Sequence, residues 1–229
     1  MAIFCFPLPK SSRKTLYWND RSNTRPFMPR PTSQSRADLV DNALTAFWNI
    51  GFHAISMRDM VRETGVSRGS IYSEFKGKRE LFHACLARYQ EVAVTPRFGQ
   101  VEAEGARLLD IKQFLDDGIA SQESLDPPMP GCLVVNTLAQ IDPADEETKR
   151  YLEYHTDRLT NGFQAVFERE NAVTGALSDQ EVTALAEFTT TSVLGLWSNC
   201  RKITDADEMR RYVDMLMNLI GAKLGAECP

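Results

Sequence analysis

The stretch from Ser56 to Phe75 leaves this chain few ways to fold. It opens with a capping box, Ser56-x-x-Asp59, runs through Met57, Met60 and Val61, and reaches Gly65. Ser67 then caps a second short apolar period carried by Ile71 and Phe75. A box of this kind satisfies orphan N–H groups at a helix start, and glycine admits the left-handed turn that stops a helix. Two short helices joined by Gly65-Val66 follow. Val66 plugs the angle between them and stands at staple spacing to Ile71. The first helix needs an apolar partner, which the preceding segment supplies.

That segment carries Leu39, Val40, Ala43, Leu44, Phe47 and Trp48, the pattern of one helix face, after Ser35-x-x-Asp38 and before Gly51. A fourth helix with Leu81, Phe82, Cys85 and Tyr89 is expected to stop before Thr95-Pro96. Beyond it the spacing predicts a helix near Val101–Ser121, a break at Pro127–Gly131 and a short apolar segment over Cys132–Gln140. A long helix follows over about Ala144–Asn171. Ser178-x-x-Glu181 caps one reaching about Arg201, and Thr204-x-x-Asp207 caps a last one ending near Leu224. No hairpin pattern and no internal repeat emerge. The expectation is an all-α chain. It divides into a tail over 1–34, a three-helix helix-turn-helix domain over 35–82, and an all-helical domain over 83–229.

Charge is distributed unevenly. The net charge of −5 argues against a polyanion partner. Residues 1–36, however, hold seven Lys/Arg against the single acid Asp20, residues 37–90 are near neutral, and the remainder is strongly acidic. A surface for phosphates would therefore sit toward the N-terminal end. Residues 1–34, rich in proline and polar residues, read as disordered, with Met28 as an alternative start. Arg13, Arg21, Arg25 and Arg30 would form a basic arm, or an idle tail. The five cysteines are odd in number and widely spaced, without C-x-x-C, and only three histidines occur. No metal site, cofactor or disulfide framework is expected, and the thiols fit a reduced, cytoplasmic protein. No apolar run is long enough to span a bilayer, so no membrane partner is expected.

In the second short helix, Ile71 and Phe75 face inward, leaving Arg68, Gly69, Ser70, Tyr72 and Glu74 outward. Small residues at 69 and 70 permit close approach to the major groove of DNA, which admits one helix. The core G-V-S-R-G-S-I-Y-S-E-F-K-G-K, Gly65 to Lys78, resembles the DNA-binding domain of TetR-family regulators. The resemblance covers about Ser35–Tyr89. Gly131-Cys-Leu-Val-Val-Asn-Thr137 resembles a segment of one branch of that family.

The resemblance implies a two-fold dimer on double-stranded DNA and a small-molecule effector bound by the C-terminal helices. By position it implies base-edge or backbone roles for Arg68, Gly69, Ser70 and Tyr72, with Ser67 at the helix cap. Phosphate contacts are implied at Ser56, Arg58 and Lys78. Ile55 stands where threonine is common, and Glu74 where histidine is common. Glu74 either accepts from a cytosine amino group or repels phosphates.

The last two helices are apolar on more than one face. Leu185, Phe188 and Leu196 on one, with Tyr212, Leu216, Leu219 and Ile220 on the other, are expected at an isologous dimer interface. Phe114, Cys132, Val135 and Asn136 with Phe163, Phe167 and Trp197 are candidates to line an effector pocket, or are plain core. The expected function is a ligand-responsive repressor acting as a homodimer on a palindromic operator. An effector-independent, nucleoid-type DNA binder shares the same head. An enzyme has no support, since no phosphate loop, H-E-x-x-H, G-x-G-x-x-G or nucleophile elbow occurs.

Overall fold

In the computed structural model, residues 35–123, 131–200 and 205–226 are described, and their regular structure is entirely helical. The tail over 1–34, with its four arginines, and the break before Gly131 lie outside the described residues.

Helix α1 (Arg36–Ile50) starts where Ser35 Oγ accepts from Asp38 N, and α2 (Met57–Thr64) starts on the matching Ser56–Asp59 box. Gly65 ends α2 at φ 70°, a left-handed conformation that would strain a residue with a Cβ. Ser67 then caps α3 (Arg68–Phe75). Helix α4 (Lys78–Tyr89) packs on α1. Phe47, Phe52 and Phe82 form the centre of this head, with Phe82 4.8 Å from each of the other two rings. Ile55, Met60, Ile71 and Phe75 close it from below. Each such fully buried side chain contributes about 1.5–3 kcal/mol.

The helical path does not stop before Thr95-Pro96. It widens into a π turn over Gln90–Val94 and continues as α5 (Thr95–Phe98). Proline lacks an N–H and its ring crowds the carbonyl one turn back. The π turn shifts the register so that Thr95 N bonds Gln90 O, and Pro96 falls in the first turn of α5, where no donor is needed. The next helix, α6 (Leu108–Glu123), begins later than the Val101 expected, because Gly105 turns the chain at φ 83° and Asp110 caps Arg107 N at 2.8 Å.

Helix α7 (Leu133–Leu138) is short, and α8 (Glu146–Thr174) is the longest element. Helices α9 (Asp179–Asn199) and α10 (Ala206–Leu224) complete the body, α9 on its expected Ser178–Glu181 box. The Asp205 side chain accepts from Asp207 N at the start of α10, while Thr204, the expected cap, lies outside the described residues. Helix α8 packs chiefly on α9, and α6 on α10. The expected boundary at 82/83 falls inside α4, which touches α1 on one side and α8 on another.

Candidate nucleic-acid interface

Helix α3 is held by its two apolar residues. Ile71 is fully buried and Phe75 nearly so, four residues apart on one face. The opposite face therefore projects from the protein, with Arg68, Gly69, Ser70, Tyr72, Ser73 and Glu74 all exposed. Ser67 Oγ accepts from Ser70 N at 3.1 Å and lies 2.9 Å from Ser70 Oγ, so both hydroxyls are engaged at the cap. Arg68 and Tyr72, one turn apart, act as a unit. The guanidinium sits 5.4 Å from the centroid of the ring, and its Nη2 donates to the hydroxyl at 3.5 Å. This contact braces Arg68 along the exposed face through Nη2 and leaves the remaining guanidinium N–H groups for a guanine edge.

The supporting residues have different positions. Ser56 Oγ accepts from Asp59 N at 3.1 Å and donates to the Asp59 carboxylate at 2.6 Å, so the cap occupies this hydroxyl. Those bonds hold the Asp59 carboxyl below its ordinary pKa. Arg58 is exposed at the start of α2. Lys78 is half-buried with its ammonium 4.6 Å over the Phe52 ring, and burial lowers its pKa. An ammonium held by a ring face keeps N–H donors for a phosphate.

Two cations that sequence reasoning passed over stand beside α3. Arg36 lies 4.6 Å over the Phe75 ring, which brings the first residue of α1 to the end of α3. Lys76, exposed, takes the left-handed conformation at φ 58° that ends α3. Lys76 lies inside the recognised motif, so its charge was a usable signal. Arg36 is separated from Phe75 by most of the head, and only the packing reveals it.

The other expected sites separate into core and surface. Phe114, Cys132, Val135, Phe163 and Phe167 are buried, and Trp197 is half-buried. Phe98 fills the middle of that region, 5.0 Å from Phe114 and 5.5 Å from Phe163. Asn136 is half-buried and already has an interaction partner. These residues read as packed core. Burial raises the Cys132 and Cys85 thiol pKa values and pushes Cys200 up to about 12, which makes all three poor nucleophiles.

Of the expected dimer residues, Leu196, Leu216 and Ile220 turn inward and are buried by the chain's own helices. An α-helix with two apolar faces spends one on its own bundle, and periodicity does not say which. Leu185 is half-buried, while Phe188, Tyr212 and Leu219 are exposed and are joined by Met215, which sequence reasoning missed. No cluster of three metal-ligating side chains occurs among the described residues, and no helix there is long and apolar enough to cross a membrane.

Residues 39–85 match the family model described as bacterial regulatory proteins, tetR family. The chain is 25% identical to the helix-turn-helix-type transcriptional regulator YezE of Bacillus subtilis over 84% of its length and 100% of the relative's. It is also 25% identical to the helix-turn-helix-type transcriptional repressor ComR of Escherichia coli, covering 83% of this chain and 90% of that one. Among solved structures, the TetR-family regulator CifR, in a cysteine mutant complexed with 26-bp operator DNA, superposes with a TM-score of 0.71. That match covers 82% of this chain and 97% of CifR at 22% identity. Reduced NemR of E. coli gives a TM-score of 0.68 at 15% identity, covering 80% of this chain and 95% of NemR.

Proposed function

Because the chain belongs to the TetR family of bacterial transcriptional regulators, we propose that it is a ligand-responsive repressor that binds a palindromic operator as a homodimer. The observation that carries the DNA reading is the face of α3. Arg68 and Tyr72 are braced against each other, Gly69 and Ser70 leave room for a groove wall, and Ile71 and Phe75 lock the helix to the head. Arg58, Lys76 and Lys78 supply phosphate contacts around it, and Ser56 and Ser67 serve chiefly as caps.

The dimer reading is supported by the exposed stripe on the last two helices. Phe188 is 50% exposed, Met215 61% and Leu219 50%, with Tyr212 beside them. Exposed apolar side chains grouped in this way mark association surfaces, and a two-fold contact would place two α3 helices on one duplex. Successive major grooves on one side of DNA recur at about 34–36 Å, so the dimer must present its heads at that spacing. A small molecule that binds one head spacing better than another shifts the population by its differential affinity. Occupying a promoter in the binding state represses it.

Selection from a random duplex library tests this reading. The expected outcome is enrichment of a two-fold symmetric site. Uniform recovery of all duplexes would instead indicate a nucleoid-type binder.

A further inference from the structure

A cleft of about 560 Å³ lies between α4, the π turn and α8, outside the packed interior of the body. Its size is within the range of small-molecule sites. Leu86 and Gln90 form the buried base, and Tyr151, Tyr154, Glu91 and Glu147 stand around it, with Arg150 and Arg158. We propose that this cleft binds an organic cation that combines an aromatic ring with N–H donors.

The first argument is Gln90. Its Nε2 lies 3.0 Å from His155 Nδ1, while its Oε1 is buried and has no hydrogen-bond partner. Burial holds His155 neutral, with a pKa of about 4, so its Nδ1 can accept from the amide. A buried carbonyl oxygen without a donor is costly, and a ligand N–H would satisfy it. Gln90 also opens the π turn, a local widening that recurs at functional sites.

The second argument is the rim. Tyr154 is 58% exposed, and Tyr151 stacks on His83 at 5.0 Å, leaving its other ring face unstacked among the described residues. Two tyrosine faces attract a cation or stack on a ring. Glu147 and Glu91 are both mostly exposed, Glu91 with one oxygen on Arg88 and Glu147 3.4 Å from His83 Nδ1. Arg158 is spent: its Nε and Nη2 each donate to Glu102 at 2.6 Å, and its Nη1 donates to Thr95. Arg150 alone of the lining cations has no ion pair among the described residues, and it is exposed at the rim. With Glu91 paired to Arg88 and Arg158 paired to Glu102, the remaining charges of the lining are Glu147 and Arg150, of opposite sign, so the buried Gln90 oxygen and the two tyrosine faces, not net charge, favour a donor-bearing cation over an anion.

The cleft is also well placed to be read. It touches α4, which carries the head, and α8, which carries the body. A ligand seated there would bias the angle between them. This second part rests on the proposed repressor function, whereas binding itself does not.

Benzamidinium, benzamide and benzoate share one ring and differ in charge and donors. They can be titrated calorimetrically into the full chain without DNA. The expected result is that benzamidinium binds at least about tenfold more tightly than either analogue. Gln90→Leu, which removes the buried acceptor, should weaken it by about tenfold. Tyr154→Ala, at an exposed position that does not threaten folding, should weaken it about threefold. Equal binding of benzoate, no binding of benzamidinium, or wild-type affinity in both variants would overturn the proposal. If benzamidinium binds the cleft but leaves operator affinity unchanged, the site stands and ligand response through it falls.

Discussion

Trp48 Nε1 donates to the carbonyl oxygen of Gly131 at 2.8 Å, across 83 residues of sequence. This bond joins α1 of the head to the start of the α7 segment in the body. The Trp48 ring also meets Tyr89 edge-on at 5.0 Å, which ties α4 into the same junction. Gly131 itself, at φ 78°, packs so closely under Trp197 that a Cβ there would lie 2.6 Å from the Trp197 carbonyl oxygen. Direct contacts therefore run from Trp197 of α9 through Gly131 to Trp48 of α1.

Trp48→Phe keeps most of the ring and removes the donor. The expected loss is about 1 kcal/mol, read as a lower urea midpoint at an unchanged slope. Operator affinity should become less sensitive to any effector in the same variant. An unchanged midpoint would show that the bond carries no load.

His155 predicts an acid-sensitive core. The folded protein holds it at a pKa of about 4, against 6.5 for the free side chain, through burial and then the nearby Arg158 charge. The unfolded chain therefore takes up the proton first. Stability from neutral His155 is complete above about pH 6.5 and is lost as pH falls toward 4, by up to about 3 kcal/mol. Denaturation at pH 7 and pH 4.5 should show a smaller difference for His155→Gln than for the wild type.

Gly162 in the middle of α8 marks a tight point of the body. A Cβ there would lie 2.6 Å from Phe98 Cζ, and Phe98 is fully buried between Phe114 and Phe163. Gly162→Ala gains about 1 kcal/mol of helix propensity but forces the ring to move. The overpacking cost of about 1–3 kcal/mol should prevail, and thermal denaturation should show a lower Tm. A raised Tm would mean that the aromatic cluster has room to shift.

Leu219→Glu places a charge in the exposed stripe beside Met215 and Tyr212 without entering the bundle core. Sedimentation should report a folded monomer, and operator affinity should fall with it. Leu216→Glu, at a buried position, should instead unfold the chain. A dimer that survives Leu219→Glu would place the interface elsewhere.

The head was legible in the sequence because its signals are local. Ser35, Ser56 and Ser67 cap at three-residue range, and Gly65 needs only its own backbone angle to stop α2. The body was legible only as helices. Whether Leu216 or Leu219 faces the bundle depends on where α6 and α9 lie, which no period within α10 encodes. Pro96 misled for a related reason: a π turn satisfied the backbone that the proline would otherwise have broken. Gln90, the base of the cleft, resembles any surface glutamine until α8 covers it.

The exposed face of α3 is expected to read bases through Arg68. This is tested most directly by measuring the affinity of wild type and Arg68→Ala for the selected duplex and for its single-base-pair variants. The expected result is a loss of about 1–3 kcal/mol on the selected site, with relaxed discrimination at one base pair per half-site and little change on unrelated duplexes. The same loss on every duplex would contradict it, since Arg68 would then touch only the backbone, and no loss at all would remove α3 from the interface.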